Sequence, residues 1–382
     1  MEELEDLREG VRKLIAHFGP EYWRELDRRR GYPEEFVDAM TRAGYLGALI
    51  PEEYGGAGLG VREASVILEE VNRSGGNAAQ CHAQMYTMGT VLRHGSKEQK
   101  ERWLPGIADG SIRLQAFGVT EPGAGSDTTH LETTATWDGE RYIISGQKIF
   151  ISRVQHSDYL LLLARTTPVA EVKRRSEGLS VFMVDLREAI QTGLTVSPID
   201  TMMNHETNAL YFDGVPVSRE NLIGEEGQGF RYILDGMNAE RILIAGECLG
   251  DGYFFIDRAT SYARERVVFG RPIGQNQGIQ FPLARAYANL RAADLMRTEA
   301  ARKFDAGERA GEDANLAKLL ASEASWEAAN AAIQTHGGYG FAMEYDIERK
   351  FRETRLFQVA PISTNLILTY LSEHVLGLPR SY

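Results

Sequence analysis

"TTATWDGERYIISGQKIFISRV", residues 133–154, is the stretch that decides the fold of this 382-residue chain. Apolar and polar side chains alternate along it, which is the period of a β-strand with one buried face. Asp138-Gly139 interrupts the alternation with a dipeptide that favours tight hairpin turns. Further strand candidates follow: "YLLLLART", "LSVFMVDL" and "ALYFDGVPV". The sequence therefore predicts a β domain over residues 116–225.

The hydrophobic period before this domain is that of α-helices. Leu4, Leu7, Val11 and Leu14 are spaced for one apolar helix face. "SKEQKERWLPGIADG", residues 96–110, opens with a serine followed three residues later by glutamine, which is a capping box, and it ends at a glycine. The sequence predicts an N-terminal helical domain over residues 1–115.

The chain after the β domain is again helical. Alanine-rich runs such as "LAKLLASEASWEAANAAIQ" suit closely packed helices. Long helices are predicted near 228–266, 278–306, 313–336 and 344–373. We therefore predict an α+β fold that ends in a C-terminal helical bundle over residues 226–382.

Composition excludes several classes of protein. A net charge of −12 argues against binding to nucleic acid or to an anionic membrane. Cys81 and Cys248 are the only cysteines, so the chain has no disulfide framework and suits a reducing compartment. The acidic N-terminal segment resembles neither a signal peptide nor a transit peptide, and no apolar run approaches the roughly 20 residues that span a bilayer. These features predict a cytoplasmic protein, and no metal-ligating cluster is predicted.

A glycine-rich string at residues 51–60, "PEEYGGAGLG", could be taken for a dinucleotide-binding loop. Such a loop needs a preceding strand, a following helix and a later acidic residue. That setting is missing, and we interpret the string as a loop that connects two helices.

"AFGVTEPGAGSD", residues 116–127, is the most specific string in the chain. Its Pro-Gly-Ala-Gly core predicts a turn whose glycines let the backbone approach a ligand closely. Thr120 and Ser126 add hydroxyl groups. Chemistry alone leaves open an ordinary glycine-rich turn.

At this string the sequence resembles the acyl-CoA dehydrogenase family, and the resemblance extends in order along essentially the whole chain. The matching segments are "PEEYGGAGLG", "KEQKERWLPGIADG", "TEPGAGSD", "ISGQKIFIS", "FDGVPVSRENLIGEEGQGF", "YARERVVFGRPIGQNQ" and "QTHGGYGFAMEYDIERKFRETR". The resemblance implies a helical N-terminal domain, a middle β-barrel and a C-terminal four-helix bundle. It also implies FAD as cofactor, an acyl-CoA substrate, electron-transferring flavoprotein as electron acceptor, and a homotetramer built as a pair of dimers.

The resemblance also assigns roles to individual residues. Residues expected to contact the flavin ring and its side chain are Phe117, Val119, Thr120, Phe150, Ser152, Ser363 and Asn365. Phe150 and Ser152 stand where the family usually has Trp and Thr, so an aromatic face and a hydroxyl are retained. Arg266, Phe269 and Gln277 are expected at the adenine-diphosphate half of FAD, and Gln334, Gly337 and Gly338 at the FAD of a neighbouring subunit. Ser126, Asn238 and Arg241 are expected at the substrate.

The catalytic base is where this chain departs from most of the family. The family removes a proton from the carbon α to the thioester and moves a hydride from the β carbon to flavin N5. Its usual base is a Glu in a segment that reads "VAPISTN" here, and Pro361 occupies that place. Proline cannot accept the proton, and it also lacks the backbone N–H that would hold the thioester oxygen, a role that the N–H of Ile362 could take.

A minority of the family, including isovaleryl-CoA dehydrogenase, carries the base on a bundle helix. Glu240 in "GMNAERILIAGE", residues 236–247, matches that place. Taken alone, the segment favours an ordinary explanation, in which Glu240 lies on a water-facing helix surface or pairs with Arg241. With the resemblance, we predict that Glu240 is the base and lies in a dry pocket that raises its pKa. Glu247, one helical repeat further on, is the alternative.

The leading hypothesis is FAD-dependent oxidation of an acyl-CoA to the 2,3-enoyl-CoA, as in fatty-acid or amino-acid catabolism. An enoyl-CoA reductase, or altered chemistry on a substituted acyl-CoA, is the second. A flavin oxidase or monooxygenase of the same fold is the third. The last is a non-enzymatic helical scaffold whose site has decayed. The sequence does not indicate the length or branching of the acyl chain.

Overall fold

The computed structural model describes residues 4–380. The α-helices of this part of the chain are α1 (Glu5–Ile15), α2 (Pro20–Arg29), α3 (Glu34–Arg42), α4 (Val61–Arg73), α5 (Ala79–His94), α6 (Lys97–Asp109), α7 (Leu186–Thr192), α8 (Gly229–Glu265), α9 (Gln277–Asp305), α10 (Gly311–His336), α11 (Ile347–Leu356) and α12 (Thr364–Tyr370). The strands are β1 (Ala116–Gly118), β2 (Thr134–Trp137), β3 (Tyr142–Ser152), β4 (Tyr159–Arg165), β5 (Leu179–Asp185), β6 (Leu194–Pro198), β7 (Thr207–Val217), β8 (Leu222–Ile223), β9 (Val267–Val268) and β10 (Arg271–Pro272). Mixed helix and sheet confirm the predicted fold class.

Two compact units emerge from these elements. A helical unit contains the chain up to Arg29, the segment Gly60–Ala78, and the chain from Asn238 onward. A mixed unit contains Arg30–Leu59 and Ala79–Met237. The limits of the three predicted domains remain a prediction.

The sheet of the mixed unit begins from the predicted hairpin. β2 and β3 pair antiparallel around the Asp138 turn, where the Asp138 carboxylate accepts hydrogen bonds from the amides of Glu140 (2.8 Å) and Arg141 (2.9 Å). The strand order is β6-β7-β3-β2-β4-β5-β8, and β1 pairs parallel with β4. The hairpin prediction is confirmed. Side chains of alternate strand residues form one buried cluster, which includes Ile144, Leu160, Leu162, Phe182, Leu210 and Val215.

Several short elements of the sheet region were not predicted, among them α7 and β6. α7 has seven residues, and its first turn is capped by the Asp185 carboxylate, which accepts from the amides of Arg187 and Glu188. β6 follows directly with five residues. Both are too short for hydrophobic periodicity to indicate them.

The predicted helix caps and connecting loop are confirmed in the mixed unit. Ser96 caps α6, with reciprocal hydrogen bonds between Ser96 and Gln99, and Gly110 ends the helix with φ of 84°. The segment at residues 51–60 is a loop before α4. A Cβ on Gly56 would lie 2.1 Å from the carbonyl oxygen of Ile50. This glycine is therefore needed for a tight backbone crossing and not for a phosphate.

Glycines also let α8 pack closely against α4 in the helical unit. A Cβ on Gly246 would lie 2.3 Å from the carbonyl oxygen of Ser65, and one on Gly250 would lie 2.4 Å from that of Glu69. Only glycine fits such a backbone approach. This contact fixes the stretch of α8 that follows Glu240.

The predicted continuous helix near 344–373 was wrong. The chain forms α11, then a loop over residues 357–363 with a cis peptide bond between Ala360 and Pro361, and then α12. A proline has no N–H to donate within a helix, and it disfavours helical backbone in the residue before it. The interruption therefore falls where the family's usual base would stand.

None of the described helices is long and apolar enough to cross a membrane.

Candidate active site

Glu240 lies on α8 among buried aliphatic residues and is 3% exposed. Its neighbours along the helix, Leu243 and Ile244, are also buried. Within the described residues the Glu240 carboxylate has no hydrogen bond and no salt bridge. Burial raises the pKa of Glu240 to about 7, and the charges of Arg241 and Lys318 limit that rise. A carboxyl group in this state can accept a proton near neutral pH.

Asn238, Arg241 and Tyr370 surround the start of α10. Nη1 of Arg241 donates to Oδ1 of Asn238 at 2.9 Å. A Cβ added to Gly311 would lie 3.3 Å from the Tyr370 hydroxyl oxygen and 3.9 Å from Nδ2 of Asn238. Burial lowers the pKa of Arg241, and Glu240 and Tyr370 oppose that shift. Two predicted substrate residues, Asn238 and Arg241, are therefore hydrogen-bonded beside the predicted base.

Lys318, on α10, is fully buried close to Glu240. Its Nζ donates to the carbonyl oxygen of Phe357 and, at 2.7 Å, to that of Ile362. These carbonyl groups lie at the two ends of the loop that contains Pro361. Burial lowers the pKa of Lys318 to about 8, so the side chain is mainly cationic at neutral pH.

A second buried lysine fixes the "TEPGAGSD" turn in the mixed unit. Nζ of Lys148 donates to the carbonyl oxygen of Val119 (3.1 Å) and to the Glu121 carboxylate (2.8 Å). Glu121 also accepts from the amides of Glu132 and Thr133. Burial lowers the pKa of Lys148 to about 8, with Glu121 opposing the shift. The turn is thus fixed at its base by the protein's own charges.

Beyond this anchor the turn is open. A Cβ on Gly123 or Gly125 would meet no atom within 4 Å, and Ser126 is exposed. Packing therefore does not require these two glycines. Phe117, Val119 and Thr120 precede the turn, and the carbonyl oxygen of Thr120 accepts from the amide of Ile149 at 2.9 Å, which joins the turn to β3.

Phe150 and Ser152 lie at an irregularity in β3. The register with β7 shifts between Lys148 and Ile151, and Phe150 has φ of 58° with a ring that is 60% exposed. A bulky residue with positive φ is strained, and such strain concentrates at functional sites. The Ser152 hydroxyl accepts from Nδ2 of Asn204 at 2.7 Å and lies 3.2 Å from the Thr207 hydroxyl, which holds the side chain in place.

A cavity of about 660 Å³ lies in the helical unit where α8, the β9–β10 turn and the end of α10 meet. It brings together Arg266, Gly337 and Gly338. The guanidinium of Arg266 stands 5.8 Å from the ring of Tyr339, and the rings of Tyr262 and His336 stack at 4.4 Å. Its full lining is Tyr262, Arg266, Val268, Ile273, Asn276, Ile279, Thr335, His336, Gly337, Gly338, Tyr339 and Ala342.

The chemistry of this cavity suits a phosphorylated aromatic ligand. Arginine and backbone N–H groups bind phosphate, and neither Gly337 nor Gly338 has an atom within 4 Å of an added Cβ. Phe269, Gln277 and Gln334 are exposed but do not line the cavity. Phe269 is fully exposed and has φ of 51°, a second strained aromatic residue among those expected at the cofactor.

The remaining predicted residues lie at the start of α12. Ser363 is its N-cap and accepts from the amide of Leu366 at 3.3 Å. Asn365 and Pro361 are exposed.

Sequence reasoning missed Lys148 and Lys318. A signal for Lys318 was present, because it is a single cation within the alanine- and leucine-rich run "LAKLLASEA". Glu121 and Lys148 carry no such signal. A charged residue in an alternating strand pattern is read as lying on the exposed face, so the sequence does not indicate that these two are buried.

Comparison with known proteins identifies the family. Models of the N-terminal, middle and C-terminal domains of acyl-CoA dehydrogenases match residues 1–111, 116–215 and 227–365. Acyl-CoA dehydrogenase FadE12 of Mycobacterium tuberculosis is 36% identical, over 100% of this chain and 98% of that protein. The Caffeyl-CoA reductase-Etf complex subunit CarC of Acetobacterium woodii is 32% identical, over 91% and 93%.

Solved structures agree with this result. A glutaryl-coenzyme A dehydrogenase in complex with glutaryl-CoA superposes with a TM-score of 0.92 at 30% identity, over 100% of this chain and 97% of that one. The predicted fold and family are confirmed. The chain belongs to the acyl-CoA dehydrogenase family of FAD-dependent oxidoreductases.

Proposed function

We propose that Glu240 is the base with which this enzyme oxidises an acyl-CoA to its 2,3-enoyl-CoA. The observation that carries the proposal is a carboxylate 3% exposed and without a hydrogen-bonding or ionic partner among the described residues. Leaving a carboxylate unpaired in an apolar site is costly unless the group has a task. FAD, when bound, would supply the acceptor for the hydride of the β carbon, and Glu240 would take the proton from the α carbon.

Neighbouring side chains support this role. Arg241, held by Asn238, would position the substrate and limit the rise in the pKa of Glu240. Pro361 supplies neither a base nor an N–H. The amide of Ile362 donates to no described residue, which leaves it available for the thioester oxygen. A donor at that oxygen stabilises the negative charge that develops as the α proton leaves.

We further propose that one FAD binds per chain. Phe117, Val119, Thr120, Phe150, Ser152, Ser363 and Asn365 would contact the flavin and its ribityl chain, and Ser126 the CoA ester. Arg266, Gly337 and Gly338 line one cavity. Arg266, with Phe269 and Gln277, would hold the adenosine diphosphate half of FAD, and Gln334, Gly337 and Gly338 would reach the FAD of a neighbouring subunit.

Anaerobic flavin bleaching tests the proposed function. A panel of short, branched and aromatic acyl-CoAs is mixed with the wild type and with Glu240→Gln, and the loss of flavin absorbance is followed. General-base catalysis is typically worth about 10²–10⁴-fold, so bleaching of the variant should slow by at least that factor at unchanged flavin content. Glu240→Gln bleached at the wild-type rate would rule out Glu240 as the base.

A reductase is the second candidate, because the relative CarC is named as a subunit of a caffeyl-CoA reductase complex. The same base would then return its proton to the α carbon. Reduced enzyme mixed with an enoyl-CoA would be reoxidised rapidly in this case, and a saturated acyl-CoA would bleach the flavin poorly.

Electron-transferring flavoprotein is the proposed electron acceptor, since CarC is named as part of a complex with Etf. Slow reoxidation of the bleached flavin by air and fast reoxidation by that flavoprotein would support this acceptor over oxygen. We also propose a homotetramer, which light scattering tests. The cytoplasmic location remains a prediction from cysteine usage.

A further inference from the structure

Lys318 is a fully buried cation whose hydrogen bonds go to backbone carbonyl groups. The pair of carbonyls, from Phe357 and Ile362, lies five residues apart and brackets the loop between α11 and α12. Burying an ammonium group is costly, and neither carbonyl supplies a compensating negative charge. A neutral hydrogen-bond donor would hold the loop at a lower desolvation cost, so a structural role alone does not explain a lysine here.

The hydrogen bond from Lys318 to the carbonyl oxygen of Ile362 also affects the N–H group of the same peptide bond. The peptide bond between Ile362 and Ser363 is trans, so its N–H points away from its carbonyl group. A cation on the carbonyl polarises the peptide and strengthens its N–H as a donor. Neither the amide of Ile362 nor that of Ser363 donates to a described residue, so both are available to a ligand.

The electrostatic surroundings of Glu240 come from three elements. Arg241 lies on its own helix, α8, Lys318 on α10, and Tyr370 on α12 beside Arg241. The Cys248 thiol, also on α8, is the remaining titratable neighbour of Lys318, and burial raises its pKa. Lys318 is therefore a cation that lies close both to the predicted base, Glu240, and to the loop that contains Pro361.

We propose that Lys318 is a positioning residue for this reaction: it pins both ends of the 357–363 loop, aims the free loop amides, and sets the charge beside Glu240. This inference rests on the proposed role of Glu240 as base. It assigns to one side chain two effects, loop geometry and charge, that different substitutions separate.

Lys318→Gln and Lys318→Arg make that separation. Lys318→Gln retains a hydrogen-bond donor for the loop but removes the charge, so the pH at which flavin reduction reaches half its maximum should move upward from about 7. Lys318→Arg retains the charge but not the geometry. Its midpoint should stay in place while the maximal rate falls, by up to about 10²-fold for a displacement of about 1 Å.

Lys350→Gln is the matched control. Lys350 is equally buried and donates to the carbonyl oxygen of Gly76 and to Glu353. It is not among the charges that act on Glu240. This variant should unfold at a lower temperature, yet its folded, flavin-loaded fraction should keep the wild-type pH midpoint.

The experiment is single-turnover anaerobic flavin reduction between pH 5.5 and 9.5 on purified holoenzyme, with flavin content and unfolding temperature measured for each variant. A Lys318→Gln midpoint equal to that of the wild type would overturn the inference. If neither Lys318 variant folds, Lys318→Met decides, because it keeps the length of the side chain but neither the charge nor the hydrogen-bond donor. A Lys318→Met midpoint and maximal rate equal to those of the wild type would refute the inference. Glu240→Gln with full activity would instead refute the proposed function itself.

Discussion

Two buried carboxylates on α8, Glu240 and Asp251, differ in what surrounds them. Asp251 is fully buried, and its Oδ1 lies 2.7 Å from Nζ of Lys350. Lys350 also contacts Glu353, and Glu353 contacts Arg349. Glu240, eleven residues earlier, has none of these partners. Asp251 belongs to a closed ionic cluster, whereas Glu240 forms no salt bridge with any described residue.

Burial raises the pKa of both groups to about 7. A perturbed pKa therefore does not distinguish the base from a structural acid. Glu353 shows the other outcome, because Lys350 and Arg349 outweigh its burial and lower its pKa. Among the described residues Glu240 has no hydrogen-bonding or ionic partner, which leaves its buried carboxylate available to a substrate.

The largest difference is expected in the chemical step. Glu240→Gln should slow flavin reduction by about 10²–10⁴-fold or more, because a glutamine cannot accept the proton. Asp251→Asn, the same change made eleven residues along the same helix, should leave the rate per bound flavin nearly unchanged. Stopped-flow reduction with one acyl-CoA measures both. An equal loss in the two variants would remove the distinction.

The second difference is in stability, where Asp251→Asn should have a larger effect than Glu240→Gln. Asp251→Asn takes away one partner of a buried ion pair, a change that costs about 3–5 kcal/mol when no other partner remains. Because Lys350 keeps Glu353 and burial already disfavours the charged form of Asp251, we expect a smaller loss, about 1–3 kcal/mol. Chemical unfolding at pH 8 would measure it. A variant as stable as the wild type would mean that the cluster does not hold this end of α8.

The pH dependence of stability gives the third. Between the ordinary pKa of 4.5 and about 7, folded Glu240 keeps its proton while the unfolded chain releases it. Stability from this group is therefore complete below pH 4.5 and is lost as pH rises to about 7, by about 3 kcal/mol at most. Glu240→Gln does not titrate, so it should gain on the wild type in that window. Unfolding free energies at pH 5 and pH 8 check the sign, and a parallel profile for the two proteins would contradict it.

The smallest effect is expected at Glu247, the third buried acid on α8. It lies one helical repeat beyond Glu240 and was the alternative base from the sequence. Glu247→Gln should change the rate of flavin reduction by less than about tenfold, below the range for a lost base. A larger loss would make Glu247 a contributor to the proton transfer.

The sequence predicted the order of helices and strands, the β2–β3 hairpin and the caps of α6, because these depend on local pattern and turn chemistry. It missed α7 and β6, which are too short to show a period. The sequence predicted a single helix across α11 and α12, because helical periodicity continues on both sides of Pro361. The backbone constraint of that proline outweighs the pattern.

The residues of the candidate site were predicted through the family motifs. The buried lysines that hold the neighbouring loops were not predicted. Glu240 and Arg241 could be chosen because they match a known place in the family. Lys318 acts on Phe357 and Ile362, about forty residues away along the chain. Such a contact depends on tertiary packing, which periodicity and motif spacing do not report.

The exchange of the α-hydrogen of a bound acyl-CoA analogue tests the central claim most directly. An analogue with sulfur in place of the β carbon has no hydride to give, so in deuterium oxide its α position reports proton removal alone. We expect the wild type, Asp251→Asn and Glu247→Gln to incorporate deuterium, and Glu240→Gln to lose at least about 10²-fold in rate. Exchange by Glu240→Gln at the wild-type rate would contradict the assignment of Glu240 as the base.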